Sequence, residues 1–343
     1  MTAARPRRRL RILILMDPDL IPPESMKGMT EQQQYEWKTE WDVLRTLRGL
    51  GHEVRTLGVH DELAPIRREV EEWKPHVVVN LLEALFGLRE FDYHVVSYLE
   101  LLRVPYTGCN PRGLMLARDK ALSKQILAYH RITAPKFDVV RRGRRARRGR
   151  KLSFPLIVKS LTEEGSDGIS QASVVWNDEE LDGRVRFVHE HMQSDAIVEA
   201  YIDGREIYVG IIGNERLKVL PPWELYFENT DTRNLPIATS RVKHDTDYQH
   251  RHGISQGQAE LSDEVRARIM SNARRVYRTL SLDGYARIDY RLRADGVPFF
   301  IEANPNPEIA ASEEFASAAE AGGLTYEALL ERIVSLGIRR GSI

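Results

Sequence analysis

The sequence predicts an α/β protein, with a parallel sheet near its N-terminal end and antiparallel pairing near its C-terminal end. Strand-like and helix-like stretches alternate up to about residue 110, and the strands are apolar on both faces, as in a sheet covered by helices. Two further strand-like runs follow, the second ending on Lys159. From Gly284 to Pro307 the sequence GYARIDYRLRADGVPFFIEANPNP alternates apolar and polar residues on either side of Ala294-Asp295-Gly296, which is how a β-hairpin reads.

The 343 residues suffice for two or three packed units. Fifty basic and fifty acidic residues cancel, so no global field recruits nucleic acid or a membrane surface. The single cysteine, Cys109, excludes a disulfide framework and fits a reducing, cytoplasmic setting. MTAARPRRR before LRILILM imitates an export signal, but the apolar run is short, contains Arg11 and meets Asp17-Pro18 without a small-residue cleavage site. It reads as a basic tail entering a first buried strand. No run approaches the roughly 20 apolar residues of a membrane span.

In chain order, Leu10 to Met16 is a strand. Thr30 to Gly51 has helical spacing, with Trp37, Trp41, Leu44 and Leu47 on one side and Gly51 as the stop. A strand from His52 to Leu57, a helix from Pro65 to Trp73, the strand His76 to Asn80 and a helix from Tyr93 to Leu102 complete the alternation. Lys120 sits early in a helix reaching His130. Strands at Lys136–Val140 and Phe154–Ser160 enclose Arg141 to Lys151, which holds eight cations and no anion. Such a run is ordinarily a solvated loop, and contact with an anionic polymer is the other reading.

After Lys159 comes SLTEEGSDGIS, a loop whose Gly165 and Ser166 could turn backbone N–H groups towards phosphate. It is no P-loop, since no Gly-Lys-Ser/Thr follows. Ala196 to Glu199 and Ile207 to Ile212 are strands. The polar segment from Glu228 to Gly257, with Lys243 inside it, is long enough to be a lid. Ser262 opens a helix running to Leu282, and further helices lie at Ile309–Ala321 and Tyr326–Leu336.

A turn centred on Asp295 sets Arg287 opposite Asn304 and Asp289 opposite Glu302. The period of two then puts all four on one face, while Ala286, Ile288, Ile301 and Ala303 face a core. Paired carboxylates repel unless neutralised, and Mg²⁺ commonly takes one or two carboxylates plus substrate phosphates. A surface hairpin with an Arg287–Asp289 salt bridge is the simpler alternative. Asn304-Pro-Asn-Pro307 ends the strand in a stiff turn.

The ordered set of a helix lysine, a strand lysine with a glycine loop, a strand-hinge glutamate, a polar loop with a lysine and this hairpin resembles the ATP-grasp enzymes. Within them it is similar to the D-alanine–D-alanine ligase group, over roughly residues 104 to 310. The resemblance implies an N-terminal domain over 1–110 and two α+β subdomains, 111–196 and 197–343, that clasp ATP. It implies an ATP-dependent carboxylate–amine ligase acting through an acyl phosphate. Lys120 and Lys159 would hold the phosphates. Glu199, Tyr201 and Ile202 would form the adenine hinge, and Glu206 would bind ribose. Lys243 would close over the γ-phosphate. Asp289, Glu302 and Asn304 would bind two Mg²⁺ ions, or Mn²⁺, and Arg287 would steady the reacting carboxyl group. The partners implied are amino-acid or peptide substrates, with a homodimer allowed and no nucleic acid or membrane. A glutathione-synthetase-like or dipeptide ligase, or a non-catalytic ATP-binding protein, are the alternatives.

Three departures bear on substrate. The His-Gly turn of the D-alanine ligases is replaced by Asn80 to Gly87, and their acidic motif after the first strand by Asp17 to Glu24. Where they place a serine and a leucine to receive the acceptor's carboxylate, this chain has Glu313 and Glu314.

Overall fold

The computed structural model describes residues 9–163, 168–228, 235–239, 241–242 and 245–340. The N-terminal unit contains β1 (Arg11–Met16), α1 (Glu31–Tyr35), α2 (Lys38–Gly49), β2 (Glu53–Gly58), α3 (Ala64–Glu72), β3 (Val77–Asn80) and α4 (Asp92–Leu101). Its sheet is parallel in the order β2-β1-β3, with Ile12 to Met16 fully buried at the centre. The single helix expected over 30–51 is divided. Thr30 and Gln33 form a capping box that starts α1, and Trp37 leaves helical geometry as its indole donates to the Asp19 carbonyl at 3.0 Å. Gly51 ends α2 with φ +87°, and His52 N donates back to Leu47 O, the left-handed stop that glycine allows.

Two helices that share a junction follow, α5 (Pro111–Arg118) and α6 (Lys120–Tyr129). Asp119 caps α6 by accepting from the amides of Ala121 and Leu122. The second sheet is antiparallel in the order β4-β7-β5-β6, from β4 (Phe137–Val140), β5 (Leu156–Ser160), β6 (Val174–Val175) and β7 (Ala196–Ala200). Helix α7 (Asp178–His191) covers one face of it. Because β7 belongs here, the break between the two antiparallel sheets falls after Ala200.

The third sheet runs β11-β10-β8-β12-β13, with β9 alongside β8. Its strands are β8 (Arg205–Ile212), β9 (Lys218–Val219), β10 (Trp223–Phe227), β11 (Ile254–Gln258), β12 (Tyr285–Leu292) and β13 (Pro298–Asn304). The segment read as an open polar loop therefore carries α8 (Thr246–His252) and an edge strand, β11. An edge strand half in water needs no apolar alternation, so its sequence conceals it. Helices α9 (Asp263–Thr279), capped by Ser262, α10 (Glu314–Ala321) and α11 (Tyr326–Arg340) complete the chain. Helix α11 packs back against β3 and α2 of the N-terminal unit.

The hairpin has the expected register, Arg287 opposite Asn304 and Asp289 opposite Glu302. A bulge follows, after which Tyr290 pairs with Phe300, so Ile301 is the extra residue. This corrects its placement. Phe300 is fully buried in the core, while Ile301 turns to line a pocket beside Glu302.

Candidate active site

One face of the third sheet makes a continuous floor. Along β12, Arg287, Asp289 and Arg291 point the same way. Register places Tyr208 and Glu302 on either side of Asp289, Asn304 beside Arg287, and Glu206 beside Arg291. The floor serves two hollows. A small pocket between the second and third sheets is bordered by Lys159, Tyr201, Ile202, Glu206, Arg291 and Glu302. A larger cavity of about 260 Å³ is bordered by Tyr208, Arg287 and Asn304 below and by Tyr35 and Glu83 of the N-terminal unit. Asp289 and Glu302 stand at the seam.

In the small pocket, isoleucines 157, 169, 202, 237 and 301 form an apolar slot, and Lys159 stands at its wall. The carboxylate of Glu199 is buried and ion-paired to two lysines, Lys159 at 3.3 Å and Lys124 at 2.9 Å. Burial alone would raise the Glu199 carboxyl; the two lysines outweigh it and hold it below the usual range. Glu199 thus organises cations, and the hinge residues that follow it, Ala200, Tyr201 and Ile202, border the pocket. Lys120 donates to the carbonyl of Glu163 and lies 3.8 Å from Glu302. Glu206 accepts from Arg291 at 3.0 Å, and Arg291 also donates to the carbonyls of Ile202 and Pro236, tying the hinge to the loop beyond β10.

At the seam, Arg287 donates to both oxygens of Asp289, at 2.8 and 2.9 Å, and also to Glu314. Asn304 donates to the same Asp289 at 3.0 Å. Burial works against the guanidinium's charge, but Asp289 and Glu314 hold its pKa well above the usual arginine value. The Arg287–Asp289 pair read from the hairpin is real, and it is buried.

The cavity is acidic on the side facing α2. Glu313 pairs with Lys38 at 2.7 Å, and Glu308 accepts from the Thr39 hydroxyl at 3.2 Å. Burial, then Glu308 and Glu314, push the Glu313 carboxyl up to about 7. Asn306, in the stiff turn after β13, accepts from the Cys109 amide at 2.9 Å beside Gly108, where a Cβ would collide with the asparagine oxygen. That contact docks the turn on the N-terminal unit.

The described residues thus bring together Lys120, Lys159, Glu199, Tyr201, Ile202, Glu206, Arg287, Asp289, Glu302 and Asn304. Gly165, Ser166 and Lys243 lie outside the described residues. Sequence reasoning missed Lys124, Arg291, Tyr208 and Lys38. Lys124 stands four residues after Lys120, one helical turn on, and that spacing could have found it. Nothing in local sequence marks Lys38, which reaches the site only through domain packing.

A fold with two antiparallel sheets closing on a cation-walled pocket, above paired carboxylates, is that of an ATP-grasp ligase. The family model described as D-ala D-ala ligase C-terminus matches residues 124–335, and the chain belongs to that family. The D-alanine–D-alanine ligase of Nitratidesulfovibrio vulgaris is 31% identical over 317 residues, covering 88% of this chain and 95% of its own. That of Moorella thermoacetica is 28% identical over 328 residues, covering 91% and 97%. The crystal structure of D-alanine–D-alanine ligase from Bacillus anthracis complexed with ATP superposes with a TM-score of 0.74 at 23% identity, covering 97% of this chain and 99% of that one. The chain is an ATP-dependent ligase that forms a C–N bond. Among the described residues no helix is long and apolar enough to cross a membrane.

Proposed function

We propose that the chain activates a small carboxylic acid with ATP as an acyl phosphate and passes the acyl group to an amine whose far end is not a carboxylate. The observation that carries this reading is the position of Asp289 and Glu302, at the seam between a cation-walled pocket and a substrate-sized cavity on one sheet face.

The apolar slot suits a nucleobase, with Tyr201 and Ile202 at its hinge and Glu206 placed for ribose. Lys120 and Lys159 lie where they can offset phosphate charge. Asp289, Glu302 and the amide oxygen of Asn304 form an all-oxygen donor set, the kind that holds Mg²⁺ or Mn²⁺ with phosphate and water as the remaining ligands. When bound, the metal supplies charge neutralisation for an in-line phosphoryl transfer. Arg287 lies against Asp289, where it can stabilise the oxyanion formed as the amine adds to the acyl carbon. By resemblance, Gly165 and Ser166 cover the phosphates and Lys243 closes on the γ-phosphate, excluding water from the acyl phosphate. Glu313 and Glu314 border the cavity, and a carboxylate-ended acceptor such as free D-alanine would meet them. A cytoplasmic setting accords with Cys109, which is a buried free thiol.

The test is an array of carboxylic acids against amines with ATP and Mg²⁺, read as ADP and phosphate release and as product mass. Release that needs both an acid and an amine, with a product of their summed mass less water, supports the reading. Efficient D-alanyl-D-alanine formation would overturn its acceptor half.

A further inference from the structure

The reaction class does not dictate the chemistry of the larger cavity. Glu308 and Glu313 border it, as does Glu83 from the loop after β3. The fixed cations nearby already have anionic partners. Lys38 is on Glu313, Arg287 is on Asp289 and Glu314, and Arg118 is on Asp92, while Arg89 also stands at the wall. That Lys38 docks on Glu313 at 2.7 Å shows that this corner accepts a primary ammonium.

A second observation points to a ligand. Tyr208 borders the cavity, is only 4% exposed, and its hydroxyl has no hydrogen-bond partner among the described residues. A buried hydroxyl left unpaired is costly, so a molecule filling the cavity gains by bringing it a polar group. A phenol oxygen has lone pairs that can accept an N–H, and in Tyr208 no described residue uses them. Its strand neighbour is Asp289, so whatever meets Tyr208 lies beside the seam. The Arg287 guanidinium lies over the Tyr208 ring at 4.7 Å, so the ring face already has a cationic partner while the hydroxyl has none among the described residues.

We infer that the acceptor is an amine carrying a second positive charge, its reacting nitrogen at the Tyr208 hydroxyl and its remote cation between Glu308 and Glu313. This rests on the ligase reading of the same site. In the transfer, nitrogen bonds to the acyl carbon, the acyl–oxygen bond breaks, phosphate leaves with the electron pair, and one proton leaves the nitrogen. The remote cation is unchanged throughout.

Calorimetric titration of the full chain with 1,3-diaminopropane, 1,4-diaminobutane and 1,5-diaminopentane, each against the ω-amino acid and the monoamine of equal length, tests this without turnover. The expected result is one diamine binding about ten-fold or more tighter than both counterparts. Lys38→Met, which removes the resident ammonium, is expected to tighten diamine binding further. Glu313→Gln is expected to abolish the preference while ATP binding persists. An ω-amino acid that binds as tightly as its diamine would overturn the inference, as would a preference surviving both Glu313→Gln and Glu308→Gln. If diamines bind selectively but no acid–amine mixture releases ADP, the cation subsite stands and the ligase reading fails. If ADP forms only with carboxylate-ended amines, the acyl-phosphate half of the proposed function stands, and its acceptor half falls together with the subsite.

Discussion

Arg287 and Asp289, two residues apart on β12, grip each other through two near-parallel hydrogen bonds of 2.8 and 2.9 Å inside the site. A divalent cation bound at Asp289, as proposed, would share that carboxylate with a guanidinium that already has a second partner in Glu314. Were Asp289 to bind the proposed metal, Glu314 would still leave Arg287 an anionic partner.

It follows that the two hairpin acids differ when removed. Glu302→Gln is expected to keep the fold and lose Mg²⁺-dependent ADP formation. Asp289→Asn is expected to lose the same activity and also about 2 kcal/mol of stability, below the usual cost of breaking a buried pair because Glu314 remains on Arg287. Activity assays at saturating Mg²⁺ with urea unfolding check both. Wild-type turnover in either variant removes the metal assignment.

The Lys124–Glu199–Lys159 cluster makes a second expectation. Lys124→Met leaves Glu199 with one lysine in a fully enclosed position and should cost about 3 kcal/mol. ATP binding should weaken as well, since Lys159 must then neutralise Glu199 alone. The double variant Lys124→Met, Glu199→Gln should cost less than the sum of the singles. Strict additivity in denaturant unfolding would show that the cluster is not one unit.

Glu40, near Glu83 and Glu308 on the acidic side, supplies a pH test. Burial first, then these neighbours against a backbone hydrogen bond, raise its carboxyl from the ordinary value to about 7. Between the unfolded value and that one the folded state binds more protons, so stability falls as pH rises through the window and levels off above it. Glu40→Gln should therefore be more stable than the wild type by roughly 3 kcal/mol at pH 8 and equal to it at pH 4. A gain of the same size at both pH values would contradict the assignment.

The basic segment from Arg141 to Lys151 is expected to be dispensable for chemistry, but not every arginine in it is idle. Arg148 donates to the Leu152 carbonyl at 2.6 Å and lies over the Phe154 ring. Replacing only Arg144, Arg145 and Arg147 with serine should leave kcat with small substrates unchanged and reduce polyanion binding at low salt. A large fall in kcat would place this segment at the site.

Much of the seam was legible because it is local. A turn at Asp295 and a period of two were enough to pair Asp289 with Glu302 and Arg287 with Asn304. The bulge at Ile301 was not legible, since a single extra residue leaves no mark in an apolar pattern. Edge strand β11 hid behind polar residues that water tolerates. Lys38 and Thr39 reach Glu313 and Glu308 across more than 260 residues of chain, a contact only packing creates. The Tyr208 hydroxyl shows itself only once burial is known.

The acyl phosphate is the centre of the proposed chemistry, and oxygen isotope transfer tests it most directly. The donor acid identified in the array would be labelled with ¹⁸O in its carboxyl group, turned over with unlabelled ATP and amine in ordinary water, and the released phosphate weighed. One ¹⁸O per phosphate is expected, because the carboxylate oxygen that attacks the γ-phosphorus leaves with it when the amine displaces phosphate. Phosphate carrying only unlabelled oxygen would mean that water or the amine attacks without an acyl phosphate, and would contradict the mechanism.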